Sequence, residues 1–186
     1  MTLHEQVTDI LASAVEAQEC AGISVLVRRC GEEMLYTQAG MSDIASGRLI
    51  HRDSIFRLYS QSKPITAAAV MLLAGGTYEG RRILSPATVA CMTQPQLKDA
   101  VRRDMWDSLD GYSYGHLMRI CAEPGRIAGL ACAGEYGWDG WLGTYFANFP
   151  GQQMTILSMQ NTVDSGTTRV VRQMRNAVLA ALSREN

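Results

Sequence analysis

The stretch Phe56-Arg57-Leu58-Tyr59-Ser60-Gln61-Ser62-Lys63-Pro64 places a serine and a lysine three positions apart, directly before a proline. Residues three apart lie on the same face of a helix, so the side chains of Ser60 and Lys63 are expected to be neighbours. Pro64 is tolerated only near the beginning of a helix, because it has no N–H group. The stretch therefore predicts a helix start, where unpaired N–H groups and the positive dipole end favour a developing negative charge.

This pair of side chains is suited to nucleophilic chemistry. A serine becomes a nucleophile when a neighbouring base takes its proton, and a lysine shielded from water can act as that base. The chain has only two lysines, Lys63 and Lys98, so the position of each is informative. Taken alone, the spacing favours an ordinary helix start without a catalytic function.

A second stretch, Tyr136-Gly137-Trp138-Asp139-Gly140-Trp141-Leu142-Gly143, combines regularly spaced glycines with two tryptophans. Glycines inside a strand allow another chain or a ligand to approach the backbone closely. Taken alone, this stretch favours a tight turn in which the tryptophans cover the core.

Together the two stretches resemble the serine β-lactamase and penicillin-binding-protein superfamily, and within it the class C β-lactamase-like esterases. The family's first motif is matched by Asp-Ser-Ile-Phe-Arg at 53–57, by Ser60 to Lys63 and by Pro-Ile-Thr-Ala at 64–67. Residues 71–89 resemble a later helix-loop-helix, and residues 112–115 resemble the strand before the third motif. Trp138-Asp139-Gly140 resembles the third motif itself, which is Lys-Thr-Gly in β-lactamases and often Trp-Gly-Gly or His-x-Gly in esterases.

The resemblance assigns roles to the matching residues. It implies that Ser60 is the acylated nucleophile, that Lys63 handles its proton, and that the backbone N–H groups of Ser60 and Trp141 form the oxyanion hole. Such donors contribute about 3–4 kcal/mol each to stabilising a tetrahedral intermediate. Trp138, Asp139 and Gly140 are the implied substrate-binding residues. The expected substrate is a small ester or amide, and the reaction requires no cofactor and no metal.

One departure from the family concerns proton transfer. No Tyr-x-Asn triplet, the family's second motif, occurs in the sequence. The two landmarks that normally flank it share one continuous segment at 67–76, which implies that the central helical subdomain is absent. Tyr59 and Tyr136 are conceivable substitutes for the missing tyrosine, although packing is the favoured role of each. The alternative function is therefore a catalytically inert or weakened member that acts as a binding module.

The other departure is Asp139, where the family usually has a small or hydroxyl residue. A carboxylate there is expected to repel anionic substrates such as β-lactams. It is also placed to pair with Lys63, which would stabilise the charged amine and weaken it as a base. Both effects favour neutral esters or amides.

The order of predicted elements indicates an α+β fold, with an antiparallel sheet flanked by N- and C-terminal helices and a truncated helical region. A single domain is expected over residues 1–186. Thr2 and Glu5 form a predicted capping box, and Gly22 is the predicted end of the first helix. Further helices are predicted at 65–73, after Ser85-Pro86, and at 168–182. Strands are predicted at 23–27, 33–38, 112–121, 127–137, 143–149 and 154–160, with a surface loop at 40–53.

Composition excludes several classes of protein. The chain has 186 residues, of which 47% are hydrophobic, and its formal net charge is -1. Without a basic surplus, nucleic-acid binding is not expected. Five cysteines in no metal-binding or CxxC pattern predict reduced, mostly buried thiols, and no apolar run predicts a signal peptide or membrane span. We therefore expect a cytoplasmic protein.

Loss of the helical subdomain exposes apolar surface on 65–73, which predicts a homodimer.

Overall fold

A large antiparallel sheet forms the centre of the computed structural model, which describes residues 1–63, 75–98, 101–102, 109–163 and 167–183. Its order is β3-β2-β1-β10-β9-β8-β7-β6, and β4 pairs separately with β5. The strands are β1 (Gly22–Arg29), β2 (Glu32–Asp43), β3 (Arg48–Leu49), β4 (Thr77–Tyr78), β5 (Arg81–Arg82), β6 (Tyr112–Tyr114), β7 (Arg119–Cys121), β8 (Tyr136–Asp139), β9 (Tyr145–Phe149) and β10 (Met154–Gln160).

Two helices from opposite ends of the sequence pack together on this sheet. They are α1 (Leu3–Glu16) and α3 (Arg169–Leu182). The predicted capping box begins α1, and Thr168 caps α3. The predicted apolar stripe of α3 is buried, together with inward side chains of β1, β9 and β10. Removal of this apolar surface from water is the main favourable contribution to the fold. The predicted α+β class is therefore confirmed.

A shorter helix, α2 (Pro86–Met92), packs elsewhere on the sheet. Its start is the predicted one, with the Ser85 hydroxyl accepting the Thr88 N–H at 3.0 Å. Leu84 and Val89 pack against a small buried cluster of Met118, Ile120 and Tyr136. This cluster fixes α2 against β7 and β8.

The sequence predicted that Gly22 ends the first helix, and this prediction is wrong. The helix ends at Glu16 with Ala17 as its cap, and Gly22 is the first residue of β1. A Cβ atom at Gly22 would lie 2.5 Å from the Met41 carbonyl oxygen, so the glycine serves the close pairing of β1 with β2. The prediction of a surface loop at 40–53 is also partly wrong, because β2 continues to Asp43 and pairs with β3.

Two other strand predictions need correction. Residues 112–121 form a hairpin rather than one strand, closed by the Gly115 N–H bonding to the Met118 carbonyl at 2.9 Å. The predicted strand at 127–137 begins only at Tyr136, because a 3₁₀ turn (Pro124–Arg126) and irregular chain precede it. The predicted helix at 65–73 lies outside the described residues.

The cysteines are all unpaired thiols, but fewer of them are buried than the sequence predicted. Cys20 and Cys121 are buried and Cys132 is half-buried, whereas Cys30 and Cys91 are exposed. Among the described residues, none of the helices is long and apolar enough to cross a membrane.

Candidate active site

Ser60 lies in a short 3₁₀ turn (Tyr59–Gln61), one helical turn before Lys63. The Nζ atom of Lys63 lies 2.8 Å from the Ser60 hydroxyl oxygen and donates a hydrogen bond to it. Both side chains are half-buried. The serine is therefore reachable from solvent and in direct contact with an amine.

The backbone directly before Ser60 has an unusual conformation. Tyr59 has a φ of 49°, in the left-handed region that a bulky side chain rarely adopts. Backbone strain of this kind persists only where the surrounding structure holds it, and it is found frequently at functional sites. The Tyr59 ring is 53% exposed, so core packing does not account for the conformation.

The predicted third motif lies against the Ser60 turn, which β8 contacts. Thr144 donates its hydroxyl to the Leu58 carbonyl oxygen at 3.3 Å. A Cβ atom at Gly140 would lie only 2.2 Å from that same oxygen. Gly140 therefore allows the end of β8 to approach the chain two residues before Ser60.

Trp141 occupies the tight turn between β8 and β9. This turn is closed by hydrogen bonds from the Gly140 N–H to the Thr144 carbonyl at 2.7 Å and from the Gly143 N–H to the Gly140 carbonyl at 2.9 Å. The Trp141 side chain is 54% exposed. Trp141 is thus held by the same turn that contacts the Ser60 segment, and its indole faces solvent.

Trp138, the other tryptophan of the motif, is half-buried and packs against protein. Its ring meets the Tyr114 ring edge-on, with centroids 5.2 Å apart. It also packs on a buried cluster that contains Leu109, Tyr112 and Cys121. The tight turn of the alternative interpretation is therefore present, but only Trp138 of its two tryptophans covers the core, because Trp141 is exposed.

Asp139 pairs with an arginine that the sequence analysis did not single out. Its carboxylate lies 2.6 Å from Arg119 and also accepts a hydrogen bond from the Thr167 hydroxyl. Burial opposes the charge of Arg119, but Asp139 together with Tyr112 and Tyr145 outweighs burial, so the pKa of the guanidinium is raised. The expected pairing of Asp139 with Lys63 is therefore wrong. The negative charge of Asp139 is also largely compensated, which weakens its expected repulsion of anions.

A buried polar network that sequence reasoning missed lies beside Arg119. Glu135 and Arg175 form an ion pair at 2.7 Å, with their side chains 1% and 6% exposed. The Tyr112 hydroxyl lies 3.0 Å from Glu135 and 2.8 Å from Arg175. Burial is the main cause that raises the pKa of Tyr112. Because arginine is frequent in this chain, nothing in the sequence marked Arg119 or Arg175 as inward-facing.

The two conceivable replacements for the missing tyrosine occupy different environments. Tyr136 is buried beside Met118 and Ile120, and burial raises its pKa to about 12. It is therefore a packing residue. Tyr59 adjoins Ser60 and is exposed. In the described part of the chain, His, Cys, Asp and Glu side chains gather nowhere in a group that could hold a metal.

Comparisons with known proteins show which proteins this chain resembles in sequence and fold. The family model described as Beta-lactamase matches residues 7–78. No curated protein sequence matches the chain.

Three solved structures are similar in fold. "EstCE1, a hydrolase with promiscuous acyltransferase activity" is 13% identical, with 95% of this chain and 98% of that one covered and a TM-score of 0.79. Unliganded simvastatin synthase (LovD) from Aspergillus terreus is 10% identical, with both chains covered completely and a TM-score of 0.70. The octameric penicillin-binding protein homologue from Pyrococcus abyssi is 8% identical, with coverages of 95% and 77% and a TM-score of 0.66.

These matches confirm the resemblance that the sequence indicated. The chain has the α+β fold of the serine β-lactamase and penicillin-binding-protein superfamily.

Proposed function

We propose that this protein is a serine hydrolase of the β-lactamase-like esterase type, with Ser60 as its nucleophile. The observation that carries the proposal is the 2.8 Å contact between the Lys63 amine and the Ser60 hydroxyl. This distance lies within the range over which a general base takes a proton from its nucleophile.

The reaction proceeds in two halves. In acylation, the neutral Lys63 amine takes the Ser60 proton while the serine oxygen bonds to the substrate carbonyl carbon. The bond to the leaving group then breaks, and the lysine gives the proton to the departing oxygen or nitrogen. In deacylation, water gives a proton to Lys63 and attacks the acyl carbon, the bond to Ser60 breaks, and the lysine returns the proton to the serine.

The oxyanion hole is proposed at the backbone N–H groups of Ser60 and Trp141. The contact of Gly140 with the Leu58 carbonyl supports this assignment, because it brings the Trp141 turn next to the Ser60 segment. Donors fixed in this way stabilise the negative charge of the tetrahedral intermediate without having to reorganise during the reaction.

The proposed substrates are small neutral esters or amides. Ile55 and Tyr59, which precede Ser60, are 95% and 53% exposed, and Trp141 is 54% exposed. Apolar side chains of this kind favour uncharged acyl groups over carboxylates. The proposed role of Trp138, Asp139 and Gly140 is to shape the substrate side of this site.

The test combines active-site labelling with turnover. Wild-type protein should gain the mass of one fluorophosphonate adduct on Ser60 and should hydrolyse p-nitrophenyl acetate repeatedly. Ser60→Ala should lose both activities, whereas Ser62→Ala, in the same motif, should keep them. Equal hydrolysis by wild type and Ser60→Ala would overturn the assignment.

A binding module that retains the fold is the second candidate. It is favoured by the missing Tyr-x-Asn triplet and by the burial of Tyr136, which removes one substitute proton carrier. This alternative predicts stoichiometric labelling of Ser60 without turnover. Multiple turnovers that disappear in Ser60→Ala would exclude it.

A homodimer is also proposed. It rests on the sequence prediction that loss of the helical subdomain exposes apolar surface on 65–73, which a second copy would remove from water. Light scattering at high protein concentration should give twice the chain mass, and a strict monomer would contradict the proposal. The cytoplasmic location stays a prediction.

A further inference from the structure

A cavity of about 370 Å³ lies beside α3, lined by residues of β6, β7 and the segment 126–130. This volume falls in the range of small-ligand pockets. Ser60, Lys63 and Trp141 are not among its described lining residues, although Arg119 and Thr167, which line it, contact Asp139 of the third motif. Its described lining includes four arginines: Arg119, Arg126, Arg172 and Arg175.

Three of these guanidinium groups already have carboxylate partners. The pairs are Arg119 with Asp139 at 2.6 Å, Arg175 with Glu135 at 2.7 Å and Arg126 with Asp110 at 2.8 Å. A further carboxylate, Glu123, lies 3.8 Å from Arg126 and is itself bound by Arg102.

Arg172 is the remaining positive charge of the cavity. Its guanidinium donates to the backbone carbonyl of Thr167 at 2.7 Å, and no carboxylate contacts it among the residues that the structure describes. The described lining therefore carries one unbalanced positive charge. One planar guanidinium matches one carboxylate, since it presents parallel N–H donors to both oxygens.

Part of the cavity lining is apolar. Ile127, Ala128 and Leu130 line it, and Leu130 is 46% exposed although it is a large hydrophobic residue. Burying such a side chain under a ligand removes apolar surface from water. A ligand that matches both the Arg172 charge and the apolar lining has an anionic end and an apolar part.

We propose that this cavity binds a small organic carboxylate, with its carboxylate on Arg172 and its apolar part against Ile127 and Leu130. Arg119 and Arg175, whose charges are already paired, also line the site. Arg172, which is exposed, supplies the charge that the ligand neutralises.

Calorimetric titration of the full chain at low salt tests the proposal with 3-phenylpropanoate as the probe. We expect one binding site per chain. The neutral analogue 3-phenylpropanamide and the variant Arg172→Gln should each weaken binding at least about tenfold, because a charge-assisted hydrogen bond is lost. Arg169→Gln, on the same helix but paired with Glu19 at 2.5 Å, should bind as wild type does.

Two further variants keep the test decisive. Leu130→Asp should also weaken binding, by repelling the carboxylate, even if Arg172→Gln proves unstable. Ser60→Ala should bind unchanged, which separates this site from the proposed active site. The proposal is overturned if the amide binds as tightly as the acid, if both arginine variants behave alike, or if inorganic phosphate binds as tightly as 3-phenylpropanoate.

Discussion

Single residues on two separate parts of the chain set the surroundings of Ser60. Tyr59 turns the backbone immediately before it, and Lys63 contacts its hydroxyl. Gly140, eighty residues further along the chain, leaves room for the Leu58 carbonyl. The site therefore depends on one local motif and one long-range contact, and each can be tested separately.

The first residue-scale prediction concerns Lys63. Lys63→Met should lower kcat for p-nitrophenyl acetate by about 10²–10⁴-fold with little change in KM, because proton transfer is lost while binding is not. The matched control is Lys98→Met, which changes the other lysine of the chain at an exposed position and should leave kcat unchanged. Equal kcat values in the two variants would show that the amine near Ser60 has no role in the reaction.

The second residue-scale prediction concerns Gly140. Its replacement by alanine places a Cβ 2.2 Å from the Leu58 carbonyl oxygen, so the β8–β9 turn must move away from Ser60. We expect a loss of about 1–3 kcal/mol in the free energy of unfolding, measured in urea, and a fall in esterase activity. Gly151→Ala is the control, because nothing lies within 4 Å of a Cβ there. A fully active, equally stable Gly140→Ala protein would contradict the close approach.

The sequence alone was sufficient to predict the contact between Ser60 and Lys63, because helical spacing and the position of a proline are local properties. It was insufficient to predict the ion-pair partner of Asp139. Lys63 was a reasonable candidate on charge, but Arg119 enters the site only through the pairing of β7 with β8. Long-range pairing of this kind leaves no mark in a sequence with many arginines.

Among the elements, helices with explicit caps were predicted well and short strands were not. Thr2, Ser85 and Thr168 each mark a helix start by a side-chain hydrogen bond that involves only nearby residues. The hairpin within 112–121 was predicted as one strand, because residues on both sides of its turn are apolar or aromatic. Its reversal depends on Leu117 adopting a φ of 62°, which sequence composition did not indicate.

The element-scale prediction concerns the buried pair that ties α3 to the chain before β8. Arg175→Leu leaves Glu135 buried without its ion partner, so we expect a loss of about 3–5 kcal/mol in the free energy of unfolding. Arg169→Leu removes an exposed pair on the same helix and should cost about 0–1 kcal/mol. Chemical denaturation of both variants measures the difference. Similar midpoints would show that the buried network contributes no more than a surface pair.

For the whole molecule, the α+β class and the superfamily fold followed from the sequence, since the order of elements and two motifs specify them together. The single domain over residues 1–186 stays a prediction. The predicted loss of the central helical subdomain rests on the continuous segment at 67–76, most of which lies outside the described residues.

Buried acidic groups predict how the stability of the whole molecule depends on pH. Burial, with a smaller effect of Glu19, raises the pKa of Cys20 from 9.0 to about 11. Burial, with a smaller effect of Glu135, raises that of Cys121 from 9.0 to about 12. The unfolded chain therefore loses these protons first, and the free energy of unfolding should fall as pH rises from about 9 through 11 to 12.

Urea titrations between pH 7 and pH 11 under reducing conditions measure this fall. Cys20→Ala removes one of the shifted groups, so its stability should decline less steeply between pH 9 and pH 11 than that of wild type. A wild-type stability that stays level over this interval would contradict the prediction.

The pairing of β1 with β10 has a consequence for synthesis of the chain. Ile23 is the register partner of Gln160, so the centre of the sheet joins an early strand to a late one. During translation, β1 and its hairpin partner β2 leave the ribosome long before β10 exists. One edge of β1 then presents unpaired N–H and C=O groups to other nascent chains. Chaperone protection of this early hairpin during synthesis is therefore expected to limit association between nascent chains.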